Sequence, residues 1–314
     1  MATFETRVEN YVGAIAADQT VLDDFLTEVS RDIISVLPNK YLSYMSEPKT
    51  DSDGVAGIAL NNCRILHAEK SGYEAKPKPY AKYAQYTDAG SMFLATAKSP
   101  ISMLNAGKGY VVPGGGIFHV VEYPVILYTD DFGSYASTDK VPEEIEPLLV
   151  YGASMRWIIK DLVGLATMLT DLPTLATNDY VLITTALGGG YSQADIKDPI
   201  TKAQTLIDAG ATAAGDSATA ALSAQTNIVG DDFAKARVSI ETAAQEVNRA
   251  RAMLENRQAQ DTPELLKWKS LLEEYSAVLN AYIARHGALS QRYSIVSQLY
   301  NEGLGKLIGQ QRQQ

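Results

Sequence analysis

The sequence predicts an α+β fold, mainly α: a helical core, a small antiparallel β insertion and a long C-terminal antiparallel αα-hairpin. Three observations carry that expectation. Apolar residues recur at three- and four-residue steps in VLDDFLTEVSRDIISVL. Between about residues 55 and 128 the pattern changes to short runs broken by Gly and Pro, the lengths of strands. The last third carries two heptad-like stripes, complementary in bulk. The expected domains are a core over residues 1–187, including the β region, and a long helical region over 188–314, with the hairpin at about 228–308.

For the first helix, Asp18 is the expected cap and Val21, Leu22, Phe25, Val29, Ile33, Val36 and Leu37 form the expected buried stripe. Pro38 ends it. The stretch SEPKTDSDG then reads as a polar loop closing at Gly54. Strands are expected within GIALNNCRILHAEKSGYEA, KPKPYAKYAQY, SMFLATA, ISMLNAGKGYVV and GIFHVVEYPVILY.

The glycine run in VVPGGGIFHVV raises the question of a phosphate-binding loop. A Walker-type loop needs Lys followed by Ser or Thr and then a helix, and a dinucleotide fingerprint also opens a helix. Here IFHVVEYPVILY follows, which reads as strand, so Gly114, Gly115 and Gly116 are expected at a hairpin tip. Tyr123-Pro124 points to an edge strand, because proline cannot donate to a ladder.

The stretch VPEEIEPLLVYGASMRWIIKDLVGLATMLTDLP comes next. Pro142 is expected at a first helical position, with Glu143, Glu144 and Glu146 in the opening turn, where negative charge suits the helix dipole. Pro147 allows a start one turn later. Ile145, Leu148, Leu149, Met155, Trp157 and Ile159 belong to an apolar surface around most of the circumference, the pattern of a central helix or one packed on a neighbouring subunit. Beyond it, three glycines before YSQADIKDP mark a boundary, and an Ala/Thr/Ser-rich stretch follows.

Stepping by three and four from Leu265 gives Trp268, Leu272, Tyr275, Leu279, Tyr282, His286, Leu289, Tyr293, Val296 and Tyr300. A second stripe, Val229, Phe233, Ala236, Ile240, Ala243, Val247, Ala250 and Leu254, supplies small residues to receive those rings. The intervening ENRQAQDTPE offers Asp261 or Thr262 as cap and Pro263 as helix opener. The second arm would extend about 65 Å at 1.5 Å per residue. A compact chain of this length has a radius of gyration near 20 Å, so the rod is expected to project or to be clasped by other subunits.

A formal charge of −10 opposes avid binding to a phosphate backbone but suits a surface past which DNA slides. The single cysteine, Cys63, excludes an intrachain disulfide and a thiolate cluster, and fits assembly in a reducing cytosol. Neither a signal peptide nor a membrane span is expected.

No catalytic residue, cofactor or metal is expected. Cys63 and His67, four apart, would share a strand face and form the one enzyme-like pair, that of a hydrolase. A reactive thiol there would alkylate rapidly. Arg156 and Lys160 suit an interface or a core ion pair with Asp161 or an N-terminal acid. Tyr73, Tyr80, Tyr83 and Tyr86, beside Lys76, Lys78 and Lys82, make a basic-aromatic patch that suits DNA, a partner or simply an exposed sheet loop.

Taken in order, the helix in VLDDFLTEVSRDIISVLP, the sheet with NNCRILHAE and HVVEYPVILY, the segment VPEEIEPLLVYGASMRWIIKDL and the long helices resemble the neck proteins of T4-like contractile-tailed bacteriophages and cyanophages. LLVYGASMRWII is similar to that family's helix of proline and acids, then Leu-Val, then Tyr-Ala-Ala. The likeness covers about Val21 to Ala166; Gly152 replaces an alanine and Pro147 is a second departure. The resemblance implies a homo-oligomeric ring, usually a dodecamer, at the head-tail junction of the virion. Its implied partners are the portal protein, a second neck or tail-terminator protein, and genomic DNA passing without sequence-specific contact. A tail-completion or baseplate protein is the alternative within the same kind of particle.

Overall fold

The computed structural model describes residues 2–15, 18–51, 53–131, 144–170, 238, 241–245, 248 and 263–309. It is mixed α and β. The described chain forms two compact units, one of residues 1–154 with 297–314 and one of 155–296.

In the first unit, α1 (Phe4–Val12) and α2 (Gln19–Val36) bury Phe4, Val8 and Val12, and Leu22, Phe25, Leu26, Val29, Ile33 and Ile34, respectively. Thr3 caps α1 with its hydroxyl, which accepts from Thr6 N–H at 3.3 Å. Asp18 stands at the α2 N-cap, where its backbone carbonyl accepts from Val21 and Leu22. The helix stops at Val36, before Pro38. Val36 departs from the expected stripe and is 52% exposed, while Leu37 is buried as expected and Leu26 and Ile34 are buried in addition.

A short helix, α3 (Asn39–Leu42), leads into the β region. Its strands are β1 (Glu47–Asp51), β2 (Ile58–Ala59), β3 (Cys63–Lys70), β4 (Tyr73–Glu74), β5 (Lys76–Pro77), β6 (Ile101–Asn105), β7 (Lys108–Val112) and β8 (Gly116–Glu122). They form two four-stranded sheets, ordered β1-β8-β3-β4 and β2-β7-β6-β5, rather than the single sheet expected. All pairs are antiparallel except β5 with β6.

Two expectations are corrected. SEPKTDSDG is not all loop: its residues Glu47–Asp51 are an edge strand paired to β8. The glycine run is not a hairpin tip, because β7 and β8 lie in different sheets. The run instead carries the chain from one sheet to the other, with Gly115 at φ 79° and a strand after it. Asp51 holds this crossover: its buried carboxylate accepts from Val111 N–H at 2.8 Å and Gly54 N–H at 3.2 Å. Its backbone carbonyl accepts from Gly115 N–H at 2.7 Å.

Between the sheets lies a core of Leu60, Ala68, Val111, Phe118 and Val120, with Ile58, Cys63 and Ile65 against it. The other face of the second sheet carries Ile101, Met103, Tyr110 and Val112, covered by Tyr86 and Ala95 and flanked by Tyr80 and Tyr83. The tyrosines of the expected basic-aromatic patch therefore pack inward in part: Tyr80 lies 4.9 Å from the Tyr110 ring, and Tyr83 Oη donates to Gly54 O at 2.7 Å. Within the expected strand runs, Tyr83–Thr87 is the short helix α4 and SMFLATA is irregular. Strand β8 is central and ends at Glu122, so Tyr123-Pro124 terminates it rather than marking an edge.

Arg64 ties the first sheet to α2, donating through Nη1 to the carbonyls of Ile34 and Leu37 and through Nη2 to Asn39 Oδ1. A cation on the last carbonyls of a helix also opposes the negative end of its dipole. The chain after Pro124 runs along α2, where Ile126 N–H donates to Thr27 Oγ1 and Tyr128 N–H to Asp23 Oδ1.

Helix α5 (Glu146–Thr170) begins one turn later than VPEE suggested: Glu144 lies in a turn, and Glu146 is the acidic residue of the first helical turn. Pro142 and Glu143 fall outside the described residues. Proline at the second helical position removes only a donor that lacks an intrahelical partner. In the first unit α5 meets α1 through an edge-on Tyr11–Tyr151 contact at 5.5 Å, and meets α2 where Gly152 abuts Val29.

In the second unit α5 buries Met155, Trp157, Ile158, Ile159, Leu162 and Leu165. Lys160 Nζ stands 4.2 Å over the Trp157 ring, a cation–π contact. The final helix, α6 (Pro263–Gly309), is 47 residues long. No helix among the described residues is long and apolar enough to cross a membrane.

Candidate functional site

The clearest grouping of chemically active side chains lies on the first sheet, on the face opposite the inter-sheet core. It is made by an irregularity in β3. Cys63, Arg64 and Ile65 pair with Glu122, Val121 and Val120, but His67 pairs with His119, so Leu66 has no opposite number. A bulge of one residue reverses which side chains face which way beyond it.

The consequence separates the expected hydrolase pair. Cys63 sides with Glu122 and the core, whereas His67 sides with His119 on the other face. Cys63 Sγ donates to Leu60 O at 3.2 Å, and burial pushes its thiol pKa up, with nearby Lys49 opposing the shift. This is the setting of an unreactive thiol. Lys49 itself pairs with Glu122, whose carboxylate raises the lysine pKa.

The same bulge stacks the His67 and His119 rings, 4.3 Å between centroids and 11° between planes. Two positions along β3 from His67, Glu69 brings its Oε1 to 3.6 Å from His119 Nε2. One nitrogen of each imidazole and one carboxylate oxygen all lie within 4.8 Å of one another. His119 Nε2 is shielded from solvent and has no hydrogen-bond partner among the described residues. His67 is exposed and Glu69 partly so, which leaves the group open on one side. Glu74 is the cross-strand neighbour of Glu69 and adds a second carboxylate to that face. Two imidazoles and a carboxylate can hold a divalent transition metal or exchange protons.

A second concavity belongs to the 155–296 unit. Asp161, Gly164 and Leu165 from α5 and Arg285, Leu289 and Arg292 from α6 line an open groove.

The expected packing residues fall into three sets. Ile145, Leu148, Leu149, Met155, Trp157 and Ile159 are buried within the chain, as are Leu279 and Tyr282, while Leu289 and Tyr293 are half-buried. Leu265, Trp268, Leu272 and Tyr275 occupy backbone positions within α6. Phe233, Ile240, Val247 and Leu254 lie outside the described residues. Of the second stripe, Ala243 is described; it is helical and fully buried. Ser276 Oγ donates to Asn248 Oδ1 at 3.4 Å, linking α6 to that stretch.

Within α6, burial pushes the phenol pKa values of Tyr282 and Tyr293 up. Neither hydroxyl has a hydrogen-bond partner among the described residues. His286, on the same stripe, is buried and shares a 3.3 Å hydrogen bond between Nδ1 and Ser290 Oγ.

Spacing alone pairs His67 with Cys63, so the sequence does not bring out the His67–Glu69–His119 group. The bulge that overturns this has no local signature, since it exists only once β3 meets β8.

No family model matches the chain, and neither a curated protein nor a solved structure matches it.

Proposed function

We propose that this chain is a noncatalytic structural protein of a phage virion, a neck protein whose copies form a ring joining the portal and capsid to the tail. The observation that carries this reading is α6, 47 continuous helical residues, about 70 Å at 1.5 Å per residue. Such a helix is longer than the roughly 50 Å diameter that the radius-of-gyration scaling gives for a compact chain of this size. A long helix alone in water gains little from its own hydrogen bonds and relies on packing of its apolar face. Its stripe is buried at Leu279, Tyr282 and Val296 but only half-buried at Leu289, Tyr293 and Tyr300, which leaves area for a neighbour.

The Ser276–Asn248 hydrogen bond and the buried Ala243 support an antiparallel hairpin whose first arm precedes Pro263. Helical hairpins of this kind are a simple way to clasp an adjacent copy in a closed ring. Met92 at 90% exposed and Phe93 at 58%, adjacent on one loop, give a further apolar surface suited to a partner. The net charge of −10 suits a lumen that genomic DNA traverses without adhering. In this reading the portal and a second neck or tail-terminator protein are the partners above and below, with assembly in the host cytoplasm.

Class averages of the purified full-length chain by cryo-electron microscopy test the proposal. Closed rings with a central channel support it. Isolated particles of single-chain size, with no symmetric assembly at any concentration, overturn it in favour of a role outside the neck.

A further inference from the structure

We infer that His67, Glu69 and His119 form a binding site for one divalent transition metal of the zinc class. The inference is independent of the neck reading and rests on the geometry of the first sheet.

Three observations carry it. First, the donor set fits. Two neutral imidazole nitrogens and one carboxylate oxygen are ligands that suit zinc, cobalt, nickel and copper, whereas magnesium and calcium favour oxygen ligands alone. Second, the spacing fits. Ligand atoms about 2.1 Å from a tetrahedral ion stand roughly 3.4 Å from one another. His119 Nε2 and Glu69 Oε1 are 3.6 Å apart, close to that separation and too far for a hydrogen bond. Third, His119 Nε2 is buried and makes no hydrogen bond among the described residues, with only the Glu69 carboxylate near it, a state that costs free energy unless something occupies it.

All three ligand atoms already lie within 4.8 Å, so capture needs a small adjustment. In a near-parallel stack the two rings cannot both aim an in-plane lone pair at one ion. The exposed His67 ring must turn out of the stack, while His119 and Glu69 keep their places on adjacent central strands. Three protein ligands leave a fourth position open to water or to a ligand from outside the chain.

The chain contains three histidines, which makes the assignment simple to test. Full-length protein stripped with EDTA is titrated with cobalt(II), followed by visible absorption, and zinc(II) is then added in competition. The expected result is saturation at one equivalent per chain, with d–d bands of a four- or five-coordinate ion that zinc abolishes. His67→Ala, Glu69→Gln and His119→Ala should each weaken binding at least tenfold, and His286→Ala should leave it unchanged. Circular dichroism establishes that each variant is folded. Because His67 is exposed, His67→Ala decides the matter if His119→Ala does not fold. Absence of saturable binding overturns the inference, as does equal affinity in wild type and His67→Ala, or loss of binding in His286→Ala alone.

Discussion

Gly152 on α5 sits so close to Val29 on α2 that a Cβ there would fall 2.4 Å from one Val29 methyl and 3.0 Å from the other. Val29 is β-branched and 3% exposed, so its methyls have little freedom to move aside. Gly152→Ala should therefore destabilise the fold although alanine is the better helix former. Overpacking costs about 1–3 kcal/mol. The propensity gain returns about 0.8–1.0 kcal/mol. The expected net loss is about 1 kcal/mol, read from the urea midpoint at unchanged slope. Val29→Ala in the same chain should remove much of that penalty, a coupling that a double-mutant cycle measures.

Asp51 gives a second test, of the crossover between sheets. Its carboxylate satisfies the N–H groups of Val111 and Gly54, and it is 2% exposed. Asp51→Ala strands buried donors at about 1–3 kcal/mol each. The expected loss is at least about 2 kcal/mol. Asp51→Asn, which keeps one acceptor oxygen, should fall between wild type and alanine. Wild-type stability in the alanine variant would show that the carboxylate does not hold the crossover.

Alkaline pH tests the interior of α6. Burial raises the folded-state pKa of Tyr282 and Tyr293 above the ordinary tyrosine value of about 10. Above that value the unfolded chain releases protons that the folded chain retains, so the unfolded state gains. The tyrosine contribution is thus fully present below pH of about 10 and is lost as pH rises through the folded-state values. Thermal midpoints should hold steady up to about pH 9.5 and fall beyond it, less steeply in Tyr282→Phe. At pH 8 that variant should be at least as stable as wild type, because the buried Tyr282 hydroxyl it removes makes no hydrogen bond among the described residues.

The elements legible in the sequence are those whose signal is local. Periodicity placed α2 and the apolar surface of α5, and the seam from Leu265 to Tyr300 matches one uninterrupted helix. Local signals failed where pairing decides. EPKTD has poor strand composition, yet it becomes β1 because β8 offers it an edge. The three glycines suit a hairpin and a sheet crossover equally well, and only the pairing of β7 with β6 distinguishes them. The same holds for His67: its four-residue spacing from Cys63 implies a shared face until the bulge intervenes. Gly152 shows the reverse case, a residue that looked like a departure from a helical pattern and is required by the side chain it touches.

The mass of the purified chain under native conditions tests the central claim most directly. A ring-forming neck protein should appear as a closed assembly of many copies, near twelve times the 34.0 kDa chain, that persists on dilution. Replacing Leu289 and Tyr293, half-buried on the α6 stripe, with aspartate should shift that assembly toward smaller species. A single species of 34.0 kDa at every concentration would contradict the claim and leave α6 without the neighbours its length calls for.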